Sequence, residues 1–590
     1  MKKLLILFFL LIYQVNYGQN DFALAQKYYN DGEFEKATQL YKNLYTKNPF
    51  NTTYLKKLIS CYQETSQYAT VEDLLKKQLN KHKNLTYLYV ELGYNHERQK
   101  QHKAAKTYYD KAINSIEKNP SLGGYIGALF KENTLLDYAI LAYEKTMTMN
   151  PNANFKFQIA QIYGEKGAFE KMFQSYIDLI DKNVNYLTTV QRFSSRYLND
   201  DRLNENNILF KKIIIRKSVS NPKNAWNQLL SWLFIQQKEY GKALIQEKAL
   251  FKRNPKYLQN IINLGVISFK DKQYKLANEC FNFILLNSTK IQDKLKANLY
   301  LIKTAIATNQ PNTDALFQQI YTTYGKNAVT LKIQLEQADY LTFKKGDANQ
   351  AITILTAALK IANSKFLKAE IKLKLGDVYV FTGKFNKALI YFSQVQTSIK
   401  NHPLAQQARF KVAQTSFFKN DFKWAFAQLK VLKASTTQLI ANDALDLFLI
   451  ISDNQSKDSI PSGLTSYAKA DLLAFQNKNK QAIDILETVL STYKGQKIED
   501  EALYKQAQLF TRVHQFEKAI TNYIKIIALD KEGISVDDSI YNLAELYKNQ
   551  LNNTEKASEY YQKIIFDHPS SIYLVDARKK YRLLRGDIVN

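Results

Sequence analysis

Apolar positions recur along this chain with a period near 3.6, in pairs of stripes joined by short polar turns. Near Ala225, the residues Leu229, Leu230, Leu233 and Phe234 make one stripe. Gln237 to Glu239 form a polar turn, and Tyr240, Ala243, Leu244 and Leu250 make the second stripe. Pro255 closes it, because proline lacks the N–H that would continue a helix. Pro49, Pro151 and Pro222 occupy the same closing slot. Each such unit predicts two amphipathic helices. Gly32, Gly167, Gly346 and Gly383 fall between paired helices, where a positive φ is easy for glycine.

The units repeat. A small residue at Ala37 recurs at Ala105, Ala139, Ala243, Ala277, Ala315, Ala351, Ala388, Ala425, Ala482, Ala519 and Ala557. Val71 and Met172 fill the slot in weaker copies, so the first steps are 34, 34, 34 and 33 residues, and later ones stretch to 36–38. The step from Met172 to Ala243 is 71 residues, room for one degenerate copy. The step from Ala425 to Ala482 is 57, room for an extra helix around Gln438 to Ile451. A second small slot marks the first helix of each unit: Ala25, Gly93, Ala160, Gly265, Gly376, Ala413, Ala470, Ala507 and Ala544. Small side chains let helix axes approach closely, and aromatic residues such as Tyr28, Tyr163 and Tyr379 are expected to fill the space toward the next unit. One helix pair cannot bury its own apolar face, whereas a stack of pairs buries a continuous core.

This spacing resembles the tetratricopeptide repeat family over most of the chain. The best copies are Asp21–Pro49, Tyr125–Pro151, Ala225–Pro255, Leu258–Ile284 and Ala369–Val395. The family's first-helix tryptophan has a counterpart only at Trp226, and Asn183–Ser220 hardly fits. The resemblance implies an all-α fold, an α-solenoid wound as a right-handed superhelix of about fifteen antiparallel helix pairs. The organisation expected is a signal peptide over 1–19, an N-terminal array over 20–182, and a degenerate repeat or bend over 183–223. A central array over 224–433, an extra helix or irregular connection over 434–462, a C-terminal array over 463–568 and a capping helix over 569–590 follow. Repeat arrays need a final helix with a polar outer face, and Ala577 to Arg585 fits that role. Its opening Pro569-Ser570-Ser571 turn is similar to the end of envelope-associated tetratricopeptide proteins of Gram-negative bacteria.

Lys2 and Lys3 precede an apolar run from Leu4 to Tyr13, and a polar stretch to Gln19 follows, which is the order of a secretory leader. Ten apolar residues are too few to span a bilayer, which takes about 20. The expectation is an exported chain, periplasmic or associated with the outer membrane, with no membrane span after the leader is removed.

Composition narrows the function. With 45% hydrophobic and 23% charged residues, a largely disordered chain is excluded. Eighteen Gly and nine Pro are too few for a loop-rich β sandwich. The 82 basic residues exceed the 54 acidic ones by 28. Such a balance either solubilises the surface or draws anionic partners. Export argues against nucleic acid. Phosphate loops, dinucleotide fingerprints, HExxH and nucleophile elbows are all missing from the sequence. No carboxylate pair stands out above the background of surface charge. His96 and His102 are six residues apart, so they do not share a helical face as metal ligands would, and both are expected to be solvated. Cys61 and Cys280 lie about six units apart, beyond disulfide reach, and are expected to be free buried thiols. No cofactor, metal site or catalytic residue is expected.

The resemblance implies that first helices line a concave binding surface. Carried onto this chain, that puts Tyr94, Glu97 and Arg98 in the groove, with Gln228, Trp232 and Gln236, and with Ile262, Phe269 and Lys270. Phe381 follows, then Phe410, Gln414, Phe417 and Phe418, then Tyr504, Gln508 and Arg512. Aromatic and long polar residues there would suit an extended peptide or a partner helix. The function expected is a non-enzymatic interaction scaffold of the bacterial cell envelope that binds proteins or peptides. The alternative is a module for anionic envelope polymers or lipid phosphates, drawn by the net positive charge.

Overall fold

The computed structural model describes residues 21–433, 438–454, 463–529 and 535–586. The leader expected over residues 1–19 lies outside the described residues, as do parts of the 434–462 connection and the last four positions.

The protein is all-helical among its described residues. Fifteen helix pairs run from residues 21–30 with Phe34–Lys47 to Val536–Asn549 with Thr554–Asp567. Most helices pack against the next in sequence. The region that fits the repeat poorly forms Leu187–Ser194 and Glu205–Ser220, joined by a longer connection. Gln438–Asn454 is a helix without a pair, and Leu574–Leu584 closes the chain. No described helix is long and apolar enough to cross a membrane.

The two small slots explain how a pair closes. Ala37, Val71, Ala105, Ala139, Met172, Ala243, Ala277, Ala351, Ala388, Ala425, Ala482, Ala519 and Ala557 are all fully buried. Four residues after several of them stands an aromatic ring, one helical turn along the same face: Tyr41, Tyr109, Tyr143, Tyr176, Phe281, Phe392, Tyr523 and Tyr561, all in the core. That ring lies over the small residue of its own first helix. A Cβ at Gly93 would come 2.3 Å from Tyr109 Cε1, and one at Gly376 would come 2.2 Å from Phe392 Cε1. Of the rings expected to fill the space toward the next unit, Tyr379 is in the core, while Tyr28 and Tyr163 are half-buried. Ala315 also departs from expectation. It is exposed on Thr313–Tyr324, and Phe317, with no accessible surface, takes the buried position there.

Turns within pairs share one backbone device. A single residue takes positive φ after each first helix in most units, at Gly32, Ser66, Lys100, Thr134 and Gly167, and again at Lys238, Lys272, Asn309, Gly346 and Gly383. Asn420, Asn477, His514 and Asn552 continue the series. The next N–H then reaches back five residues, as in Gln101 N to His96 O (2.9 Å) and Lys384 N to Tyr379 O (2.8 Å), which satisfies a helix-end carbonyl.

The chain divides into two compact units: Met1–Leu198 with Glu205–Leu229, and Asn199–Asn204 with Leu230–Asn590. The first carries a core running from Ala25 to Ile162. The second carries a large core from Leu331 to Leu509 and further clusters on either side. Within the second unit, two bonds connect positions far apart in sequence. Gln476 Nε2 donates to Phe381 O at 2.8 Å, and Asn477 Nδ2 donates to Phe343 O at 2.8 Å, across separations of 95 and 134 residues. The Phe343 ring meets Phe381 and Phe475 edge-on, each at 5.5 Å. Leu341–Lys345, where Phe343 sits, is a π-helical turn.

Cys61 and Cys280 are free and buried. Burial pushes their thiols up to about 11 and about 12, so both stay protonated and inert. His96 is a correction to the solvated reading. It is buried, its ring stacks on Tyr108 at 5.3 Å, and its Nδ1 is 2.7 Å from Gln101 Oε1. His102 is exposed beside Glu97 (2.8 Å).

Candidate functional site

The residues expected in the groove meet different fates. Phe417 has no accessible surface, Phe418 is 5% exposed and Ile262 is 2% exposed, so all three belong to the core. Phe417 and Phe418 sink because Pro403–Phe418 packs against five helices: Lys365–Phe381, Phe385–Ser398, Phe422–Lys433, Gln438–Asn454 and Leu464–Phe475. Little of its surface remains for a ligand. Phe410 is half-buried against the same core, and Gln414 and Phe381 are half-buried. Phe269 is held edge-on by Tyr300 at 5.4 Å. Arg98 is committed to Glu64 (3.0 Å), and Tyr94 beside it is half-buried. Gln228 and Trp232 are half-buried, while Gln236, Lys270 and Arg512 are exposed.

Tyr504 and Gln508 are brought into one place. They line a cavity of about 840 Å³ in the second unit. Ile498–Arg512 supplies Asp500, Glu501, Tyr504, Lys505 and Gln508, which share a face at steps of three and four. Gln438–Asn454 presents Asp446, Leu449, Ile450 and Asp453 from the facing side with the same periodicity. Tyr467, Asp538 and Tyr573 complete the lining from Leu464–Phe475, Val536–Asn549 and the turn before the closing helix.

Hydrogen bonds fix these walls. Asn454 Nδ2 donates to Glu501 Oε1 at 3.4 Å, which joins the unpaired helix to Ile498–Arg512. Asn542 Nδ2 donates to Tyr504 Oη at 3.0 Å, and Tyr573 Oη donates to Asp538 Oδ1 at 2.5 Å. Lys505 is taken by Asp471.

The cavity is acidic within a basic chain. Asp446, Asp453, Glu499, Asp500, Glu501 and Asp538 face only two lysines, Lys497 and Lys505. Burial pushes the Glu501 carboxyl up to about 8, and the neighbouring Asp500 adds to this. Burial also raises Asp446, with Asp538 and Asp443 adding, and raises Asp538 against the opposing Tyr573 hydrogen bond. The Tyr504 phenol is pushed up to about 12, chiefly by burial. Three carboxyls resisting ionisation together mark a site that lacks a countercharge of its own.

Sequence reasoning saw no such carboxylate grouping. Its trace is visible afterwards: Glu499-Asp500-Glu501 and Asp537-Asp538 open two successive first helices. Acids in a first turn are ordinary partners of the helix dipole, which hides the signal. The acids of Gln438–Asn454 join them only through the fold.

Comparison with known proteins gives two repeat matches. Residues 86–119 and 538–571 each match a family described as "Tetratricopeptide repeat". No curated protein matches the chain. Among solved structures, Naa15/Naa10 bound to HypK-THB is similar at 12% identity and a TM-score of 0.32, covering 95% of this chain and 88% of that one. The hetero-tetramer Cut9-Hcn1 of the APC/C is similar at 12% identity and a TM-score of 0.25, covering 94% and 95%. Yeast Tom70 is similar at 14% identity and a TM-score of 0.29, covering 91% and 96%. Similarity at that level says nothing of function.

Proposed function

We propose that this chain, which carries tetratricopeptide repeats, is a non-enzymatic scaffold of the bacterial cell envelope that holds partner proteins or peptides on its first helices. The observation that carries the reading is the lined cavity itself. Three successive first helices of the C-terminal repeats contribute Tyr467, Tyr504 and Asp538 to one recess open to a ligand. Helix pairs stacked on small residues supply a rigid support, which lowers the ordering cost of binding.

Support for export is the leader-like order of Lys2, Lys3, the Leu4–Tyr13 apolar run and the polar stretch to Gln19. The mature chain would then work in the periplasm or at the outer membrane.

The test is cross-linking of the tagged protein in its native cells, followed by mass spectrometry of the envelope fraction. One or two dominant envelope proteins, retained at high salt, are expected. Recovery of anionic polymer or lipid lost at high salt would replace the scaffold with charge-driven binding, because exposed charges are screened over about 10 Å at 0.1 M salt.

A further inference from the structure

We infer that the cavity between Gln438–Asn454 and Ile498–Arg512 receives a lysine or arginine side chain of a partner polypeptide. This rests on the scaffold reading and names the chemistry of its partner.

The first ground is a missing cation. Elsewhere in this unit, several sheltered carboxylates meet a lysine of a neighbouring helix layer. Lys411 Nζ is 2.6 Å from Asp377 Oδ1, Lys580 Nζ is 2.6 Å from Glu545 Oε1, and Lys374 pairs with Asp339. Asp446, Asp500, Glu501 and Asp538 join no ion pair among the described residues. Carboxylates sheltered from water and left unpaired are costly, and a cation among them relieves the cost.

The second ground is unused hydrogen-bonding capacity inside the cavity. Tyr467 is only 5% exposed and lines it, yet its hydroxyl makes no hydrogen bond among the described residues. Glu501 Oε2 is closed off from solvent and has no partner either. An ammonium or guanidinium group donates several hydrogen bonds and accepts none, so it matches acceptor-rich walls.

The third ground is the rest of the lining. Leu449, Ile450, Ile526 and Val536 give an apolar surface for the methylene stem of such a side chain. Tyr504 and Tyr573 also line the cavity, and an aromatic ring there adds attraction for a cation that reaches its face. A metal ion fits less well. Among the described residues no group of three or more His, Cys, Asp or Glu could hold one.

The experiment measures fluorescence anisotropy of a short labelled peptide of alternating alanine and lysine, titrated with the full chain. Saturable binding is expected. A matching alanine–glutamate peptide is expected not to bind, although the chain as a whole is strongly cationic. Asp500→Asn combined with Asp446→Asn should weaken the lysine peptide by about tenfold or more. Glu559→Gln, an exposed acid outside the cavity, should leave it unchanged. Circular dichroism would verify that each variant keeps its helices. Absence of binding, equal binding of the glutamate peptide, unchanged affinity in the double variant, or an equal loss in Glu559→Gln would each overturn the inference. If envelope cross-linking still captures a protein in that event, the scaffold reading stands and only the cation pocket falls.

Discussion

Lys411 Nζ lies 2.6 Å from Asp377 Oδ1, and the two residues are thirty-four apart in sequence. The same kind of contact ties Arg98 to Glu64 and Lys580 to Glu545, across 34 and 35 residues. Each joins a first helix to the first helix of the next repeat or, for Lys580, to the closing helix, so the pairs help to set one layer on the next.

These pairs differ in what they contribute. Lys411 and Asp377 side chains are 17% and 14% exposed, whereas Lys36 and Glu33 are 63% and 43% exposed. Lys411→Met leaves a sheltered aspartate unpaired and is expected to cost about 1–3 kcal/mol. Lys36→Met, at an exposed pair screened by solvent, is expected to shift the midpoint far less. Urea unfolding of the two variants would compare them, and equal midpoints would remove the register role.

Close approach of paired helices should be sensitive to one methyl group. Gly376→Ala drives a Cβ into the Phe392 ring. Overpacking costs about 1–3 kcal/mol, against a helix-propensity gain of about 1 kcal/mol. A net loss is expected. Adding Phe392→Leu should recover part of it, and a thermal-melt cycle of the four proteins would reveal the coupling.

Turn residues offer a stabilising change. Thr134 holds φ at 58°, where a β-branched side chain is strained. Thr134→Gly relieves about 1–2 kcal/mol of local strain and gives back about 0.4–1 kcal/mol in unfolded-chain entropy. A modest rise in melting temperature is expected. Gly383→Ala, at φ 70° with open space around its Cβ, should lower it through the backbone alone.

Stability of the first unit should depend on pH through Glu91. It is buried, and burial holds its carboxyl at about 7 against an ordinary 4.5, with Lys56 only partly opposing. Below 4.5 the folded and unfolded forms are both protonated, so Glu91 contributes nothing. As pH rises from there to 7 the unfolded chain releases the proton first, and stability falls. Glu91→Gln is therefore expected to stabilise at pH 8, on the order of 2–3 kcal/mol, and to be silent at pH 4. Denaturation at the two pH values checks this, and an equal shift at both would count against it.

The all-helical fold was legible because small residues and prolines recur in phase with the apolar stripes. Ala37 and Ala139 announce themselves by spacing alone, and burial follows. Ala315 misled because spacing does not say which way a helix is rotated, and Phe317 two residues on took the buried face. Only the glycine turns were readable. Lys100, Thr134 and His514 adopt the same positive φ because the helix pair imposes it on whatever residue stands there. Phe417 looked like a groove residue, but its ring packs on Phe422 of its own pair and on Tyr467 of a helix fifty residues later. The cavity was least legible. Tyr504 and Gln508 were readable as first-helix positions, but Asp446 and Asp538 reach them from 58 residues before and 34 residues after Tyr504, a meeting that only the fold makes.

The bonds from Gln476 and Asn477 to Phe381 and Phe343 carry a mechanical consequence. A stack in which each repeat touches only its neighbours extends under load like a coil spring, one small rotation at a time. A clasp spanning 134 residues cannot lengthen in that way. Between Phe343 and Asn477 the chain acts as a buckled loop of fixed span, so a pulling force must first break the clasp, and until then any compliance lies in the repeats outside it.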